Sequence, residues 1–150
     1  MSAFDSRVAM LLAAVLLLSA CSAGEPTVGT DSSPREIDLT MTDEMTFAPA
    51  TIEVRRGETV LFRIRNSSNQ AHEAYIGSQE EQALHATRHS AVASEEQTAI
   101  PHINQPAVHV PPLGTGEFLY RFDERVELVI GCHYPGHYEA GMRAVIEVSE

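Results

Sequence analysis

The chain has 150 residues, of which 43% are hydrophobic and 21% charged, and its formal net charge is −11. All 10 basic residues are arginine, so no lysine can form a Schiff base or grip a nucleotide phosphate, and an acidic chain is a poor match for nucleic acid. The apolar content is too high for a disordered chain, and the length suits a single domain.

Residues 1–21 read as an export signal. Arg7 closes a short n-region, and Val8 to Leu18 is an apolar run too short for a membrane-spanning helix of ~20 residues. Leu18-Ser19-Ala20-Cys21 then resembles a bacterial lipobox, which implies cleavage before Cys21 and lipidation of its thiol. The alternatives are an ordinary secretory signal cut after Ala20, and a buried core helix. Residues 22–35 are small and polar and carry Pro26 and Pro34, which predicts a flexible tether with an r.m.s. span of ~20 Å. The signal takes Asp5 and Arg7 with it, so the charge of −11 stays with the mature chain. With Cys21 lipidated, Cys132 is the remaining thiol of the two cysteines and has no internal disulfide partner. A lone exported thiol invites oxidation, and a metal would protect it.

Residues 36–150 alternate in short segments. Ile37, Leu39 and Met41 share a face of Glu36–Thr42, and Val60, Phe62 and Ile64 share a face of Glu58–Arg65. Phe118, Tyr120 and Phe122 fall together in Glu117–Phe122, and Val126–Ile130 is nearly continuous and apolar. In Met142–Val148, Met142, Ala144, Ile146 and Val148 oppose Arg143, Val145 and Glu147. A period of two, broken by turn signals at Arg56-Gly57-Glu58 and Pro112-Leu113-Gly114, predicts an all-β sandwich of seven to eight strands. Ser78–Thr98 breaks the pattern, being rich in Ala, Glu, Gln and His. It reads as an insertion with a short helix, since it lacks the apolar residues for a core of its own.

Gly131-Cys132-His133-Tyr134-Pro135-Gly136-His137-Tyr138-Glu139-Ala140-Gly141-Met142 joins two of these strands. A thiol, an imidazole and a thioether thus stand on one loop in a Cys-x4-His-x4-Met spacing, with Pro135-Gly136 and Gly141 supplying turns. Two His, one Cys and a weak axial Met form a type 1 copper set. His72, which follows Glu58–Arg65 after the polar turn Asn66-Ser67-Ser68-Asn69, is the candidate for the second imidazole. A fortuitous cluster of buried Cys, capping His and core Met is the bland alternative. Structural zinc sites favour several cysteines or close His pairs, and a thioether is a poor zinc ligand. A dinuclear copper centre needs two cysteines in the loop, and a multicopper oxidase needs a His on each side of the Cys, where this chain has Gly131. A mononuclear site remains.

These residues resemble the cupredoxin family, the plastocyanin and azurin class, over residues 36–150. The likeness includes Phe47-Ala48-Pro49, the strand and turn Val54-Arg55-Arg56-Gly57-Glu58-Thr59-Val60, His72 and the Cys132…His137…Met142 loop. The loop spacing is similar to that of rusticyanin-like members, and Pro-Gly-His-Tyr-Glu-Ala-Gly-Met looks like exported bacterial cupredoxins, some linked to copper tolerance. The resemblance implies a Greek-key sandwich, one copper ion held by His72, Cys132, His137 and Met142, and electron entry at the ring edge of His137, beside Pro135 and Tyr134. Glu73 stands where plastocyanins and azurins commonly carry Asn, which puts the usual hydrogen bond beside the Cys ligand in question.

Of the other histidines, His85 and His89 are at i, i+4 and would share a helix face, as suits a weak second metal site. His102, His109 and His133 are more often solvated or capping residues. Met41 and Met45 are also four apart, but Met41 reads as strand and hence as core. Glu80, Glu81, Glu95 and Glu96 could steer a basic partner or simply confer solubility. The functional expectation is a non-catalytic, monomeric, lipid-anchored carrier of one electron between redox partner proteins. The alternative is a surface protein that sequesters or relays copper, taking it from a donor or passing it to an acceptor. A weaker third is a copper-free interaction domain.

Overall fold

The computed structural model describes residues 28–90, 106–124 and 126–150, without the side chains of His89 and Ser90. The signal, Cys21, the first part of the tether, Glu95, Glu96 and His102 lie outside the described residues. Nine strands and one helix occur among those described: β1 (Arg35–Met41), β2 (Phe47–Ala48), β3 (Thr51–Arg55), β4 (Thr59–Asn66), β5 (His72–Gly77), α1 (Gln79–Ser90), β6 (Ala107–Val110), β7 (Thr115–Arg121), β8 (Leu128–Gly131) and β9 (Arg143–Ser149).

The strands form two sheets, ordered β2-β1-β4-β7 and β3-β9-β8-β5-β6. β1 runs parallel to β4 and β3 parallel to β9, while the other neighbours are antiparallel. The alternation of the sequence explains the interior. Leu39 and Met41 of β1, Val60, Phe62 and Ile64 of β4, and Ala144 and Ile146 of β9 close a common core. Their neighbours Arg63, Arg143 and Glu147 point to solvent. This is the expected β-sandwich, with nine strands instead of seven or eight. The two-residue β2 and the four-residue β6 are too short to show a period of two.

Two boundaries differ from expectation. Strand β8 begins at Leu128, and Val126 is 41% exposed. Order also starts ahead of residue 36. Arg35 is already in β1. Before it, Thr59 N–H donates to Gly29 O at 2.9 Å, Thr59 Oγ1 donates to the Asp31 carboxylate, and Arg121 pairs with Asp31 at 2.9 Å. These contacts hold residues 28–34 against the sandwich.

Helix α1 starts with a capping box. Glu81 N–H donates to Ser78 Oγ at 3.3 Å, and Ser78 N–H donates to Glu81 Oε2 at 2.7 Å. The helix lies on β5 and β8 and buries Gln82 and His85, one turn apart, against the outer face of the five-stranded sheet. Strand β5 is therefore buried on both faces. No helix among the described residues is long and apolar enough to cross a membrane.

Candidate metal centre

Three side chains from two places in the sequence meet at one end of the sandwich. His72 opens β5, while Cys132 and His137 lie on the loop between β8 and β9. The Nδ1 atoms of His72 and His137 face each other at 3.2 Å. Cys132 Sγ lies 3.4 Å from His137 Nδ1 and 3.9 Å from His72 Nδ1. These donors all fall within 4.8 Å of one another and are buried.

The loop sequence accounts for this convergence. Gly136 and Gly141 take φ of 82° and 101°, a region that L side chains rarely adopt. They close the turns that His137 N–H, donating to Tyr134 O at 3.0 Å, and Gly141 N–H, donating to Tyr138 O at 3.0 Å, stabilise. Cys132 N–H donates to Met142 O at 3.2 Å, and Met142 N–H donates to His137 O at 3.0 Å. The backbone thus ties all three loop candidates together. Met142 is wholly buried in the same core cluster as Cys132. His137 retains 6% exposure beneath the exposed Pro135 and Gly136, with the Tyr134 ring stacked 5.9 Å away.

The surroundings suit a cation. Ser68 Oγ donates to Gln70 O at 3.0 Å and lies 2.8 Å from His72 Nε2, so it accepts the Nε2 proton and leaves the Nδ1 lone pair of the same ring facing His137 and Cys132. Burial pushes the Cys132 thiol up to about 12 and the His72 imidazole down to about 4, with the nearby His137 adding to the second effect. Burial also lowers His137. Two imidazole nitrogens and a thiol thus face one another in a buried cluster. A metal ion would replace the thiol proton, with His72 Nδ1, His137 Nδ1 and Cys132 Sγ as the residues that would hold it. The N2S donor set with a buried thioether residue alongside fits copper.

The hydrogen bond placed in question by Glu73 is present in another form. Glu73 N–H, a main-chain group, donates to Cys132 Sγ at 3.4 Å. The Glu73 carboxylate is completely buried and turned the other way, toward α1. Its Oε1 lies 3.0 Å from His85 Nε2 and 3.8 Å from His109 Nε2, and its Oε2 accepts the His133 N–H at 3.4 Å.

That corrects the expected role of His85 and His133. His85 and His133 are 2% and 6% exposed, and neither is a solvated or capping residue. His133 Nε2 is 2.6 Å from Gln82 Oε1, and its ring stacks on Tyr138 at 4.6 Å. His85 stacks on Tyr75 at 3.9 Å and engages Glu73, while the side chain of its expected partner His89 lies outside the described residues. The cluster was not evident in the sequence, since its members come from β5, α1, β6 and the β8–β9 loop. The one available signal was His133 following Cys132 directly. Met41 is fully buried in the core, as expected from its strand, and Met45, at φ 56°, is partly buried against the same core.

Known proteins resemble this chain in both sequence and fold. The copper-resistant cuproprotein CopI of Rubrivivax gelatinosus is 37% identical over 111 residues, a match covering 72% of this chain and 62% of that protein. The chain thus spans under two-thirds of that relative's length. CopI of Pseudomonas aeruginosa is 27% identical, covering 79% of this chain and 78% of the relative. No family profile matches the chain. Among solved structures, dithionite-reduced auracyanin from Roseiflexus castenholzii superposes with a TM-score of 0.66 at 20% identity, covering 77% of this chain and 97% of its own. Auracyanin A of Chloroflexus aurantiacus, a blue copper protein, gives 0.64 at 23% identity, with 78% and 100% covered.

Proposed function

We propose, from a fold shared with the auracyanins, that the chain is a mononuclear type 1 copper protein of the cupredoxin kind serving as an extracytoplasmic one-electron carrier. The observation that carries this reading is the buried meeting of His72 Nδ1, His137 Nδ1 and Cys132 Sγ. These three would hold the ion, with Met142 as the weak axial donor, and the ion supplies one-electron redox chemistry. The protein's contribution is rigidity. Both strand ends, the turns at Gly136 and Gly141 and the Ser68–His72 bond keep the donors in place, so little rearrangement accompanies electron transfer. All three donors are buried, which supports a non-catalytic role. His137, under the exposed turn, is the shortest way out for an electron to a redox partner protein. In this reading residues 1–21 direct export, Cys21 carries the lipid, and the domain works as a monomer outside the membrane.

A second reading is favoured by the relatives. Both bacterial proteins described above carry the name copper-resistant cuproprotein, which supports copper sequestration or relay at the cell surface. One preparation tests both. Residues 22–150 with Cu(II) are expected to show an intense thiolate-to-copper band in the visible, absent in Cys132→Ser. No band in correctly folded protein would overturn the copper reading. Reversible reduction with copper retained against a chelator supports the carrier. Prompt loss of copper to the chelator or to an apo-acceptor supports sequestration or relay.

A further inference from the structure

Helix α1 interrupts a β-sandwich and buries a polar side chain, Gln82, at 1% exposure. Gln82 Nε2 donates to Val129 O at 2.7 Å and to Tyr75 O at 3.1 Å. Tyr75 belongs to β5, the strand that His72 opens, and Val129 to β8, the strand that leads into Cys132. One amide therefore touches both strands that deliver the metal donors. Carbonyl oxygens can be met only by the nitrogen of that amide, so its oxygen is turned the other way. Oε1 lies 2.6 Å from His133 Nε2, and as an acceptor it requires a proton on that ring nitrogen.

His133 is gripped at three points. Gln82 holds the ring nitrogen, Tyr138 stacks on the ring at 4.6 Å and 13°, and Glu73 Oε2 accepts the main-chain N–H at 3.4 Å. A residue fixed at both its ring and its N–H leaves little freedom to the peptide that follows, and that peptide carries the Tyr134 N–H. Tyr134 N–H is the second main-chain donor on Cys132 Sγ, beside the Glu73 N–H at 3.4 Å. Burial raises the thiol, and these two N–H groups act against it by favouring negative charge on sulfur. Hydrogen bonding around a copper-bound cysteine sulfur tunes the reduction potential. The sulfur is more negative when the copper is reduced, so each such bond favours the reduced form and raises the potential.

We propose that Gln82 is a positioning residue of the metal centre: acting through His133, it holds the Tyr134 N–H on Cys132 Sγ and so raises the reduction potential of copper bound there. The positioning needs no metal, and only its effect on the potential rests on the copper reading. Helix α1 thereby gains a role at the centre without supplying a ligand. It contributes Gln82 to the His133 ring and His85 to Glu73 Oε1, at 3.0 Å, while Oε2 of that carboxylate holds the His133 N–H. A side chain that only tied α1 to the sheet would lower stability on removal and leave the sulfur as it was.

Four forms of the mature chain test this: wild type, Gln82→Met, His133→Phe and the double variant. Methionine keeps the length of Gln82 without its amide, and phenylalanine keeps a ring to stack on Tyr138 without Nε2. In metal-free protein, amide hydrogen exchange at Tyr134 is expected to quicken about threefold to tenfold in each single variant. In copper-loaded protein, each is expected to lower the one-electron reduction constant about threefold to tenfold, or about 30–60 mV. The double variant should match the singles, because the two side chains act as one brace. Unchanged exchange at Tyr134, an unchanged potential in protein that shows the visible copper band, or shifts that add in the double variant would overturn the proposal and leave Gln82 as a tie between α1 and the sheet. No visible band in folded wild type would sink the copper reading instead, and exchange at Tyr134 then decides the brace by itself. If Gln82→Met does not fold, His133→Phe decides.

Discussion

The main-chain N–H of Glu73 points at Cys132 Sγ from 3.4 Å, while the carboxylate of the same residue accepts the N–H of His133. One residue thus grips the Cys132–His133 peptide from two directions with two different kinds of group. The grip on sulfur belongs to the backbone and the grip on the loop to the side chain. Glu73→Gln is therefore expected to keep the visible copper band. It should lose about 1–3 kcal/mol of stability, because buried partners of the carboxylate are left poorly satisfied. Absorption and urea unfolding on the same variant check the two halves separately.

Ser68 supplies the outer support of His72, with Oγ 2.8 Å from Nε2 in a fully buried setting. Ser68→Ala removes that support without touching a candidate ligand. Copper affinity, measured by competition with a chelator, is expected to fall about 10- to 100-fold. An unchanged affinity would mean that packing alone orients the ring.

Met142→Leu tests the axial position. The residue is wholly buried next to Cys132, so leucine fits with a small volume cost. Loss of a thioether donor is expected to raise the reduction potential while the colour stays. If neither the potential nor the spectrum moves, Met142 acts only as core.

Gly131 ends β8 under crowded conditions. A Cβ there would come within 2.6 Å of the Tyr138 ring and 2.7 Å of Gln82 Oε1. The ring is held by its stack on His133 and by Arg143 at 5.8 Å, and Gln82 is held by its 2.7 Å bond to Val129 O. Gly131→Ala is accordingly expected to cost about 1–3 kcal/mol, read as a lower urea midpoint.

Acid stability should report on Glu58. Burial by itself would raise this carboxyl, but the Arg35 guanidinium and the N–H groups of Arg55 and Gly29 outweigh it and hold the group below its ordinary 4.5. The folded state therefore binds its proton later than the unfolded chain does. Stability from this group is complete above about pH 4.5 and is lost as the pH falls through the lower folded value. Metal-free wild type is expected to lose stability on acidification in that window, and Glu58→Gln to show a shallower slope. Parallel slopes in urea titrations between pH 5 and pH 3 would contradict it.

What could be read from the sequence follows the range of the forces involved. The strands and the inward faces of Phe62, Ile64 and Ile146 follow from local alternation, and the loop donors from local spacing. His72 needed only the strand before it. The cluster behind Cys132 had no local signal. α1 buries Gln82 and His85, two polar residues, so no apolar stripe marks the face that packs. Glu73 is turned from a solvent-facing residue into a buried one by residues that arrive later in the chain, among them His85, His109 and His133. The early start of order has the same origin, since Asp31 is held by Arg121 and Thr59, far along the chain.

The docking of residues 28–34 also sets a direction. Their contacts fall at Thr59, the first residue of β4, whereas Ser68 and His72 follow its last residue, Asn66. Eight residues of strand separate the two ends, about 25 Å. The leash therefore enters at the pole opposite the metal donors. Under the lipid anchoring proposed above, a molecule held at Cys21 would stand on that far pole and turn His137 away from the bilayer. It would meet partners diffusing in the space beyond, and a partner embedded in the same membrane would have to reach over it.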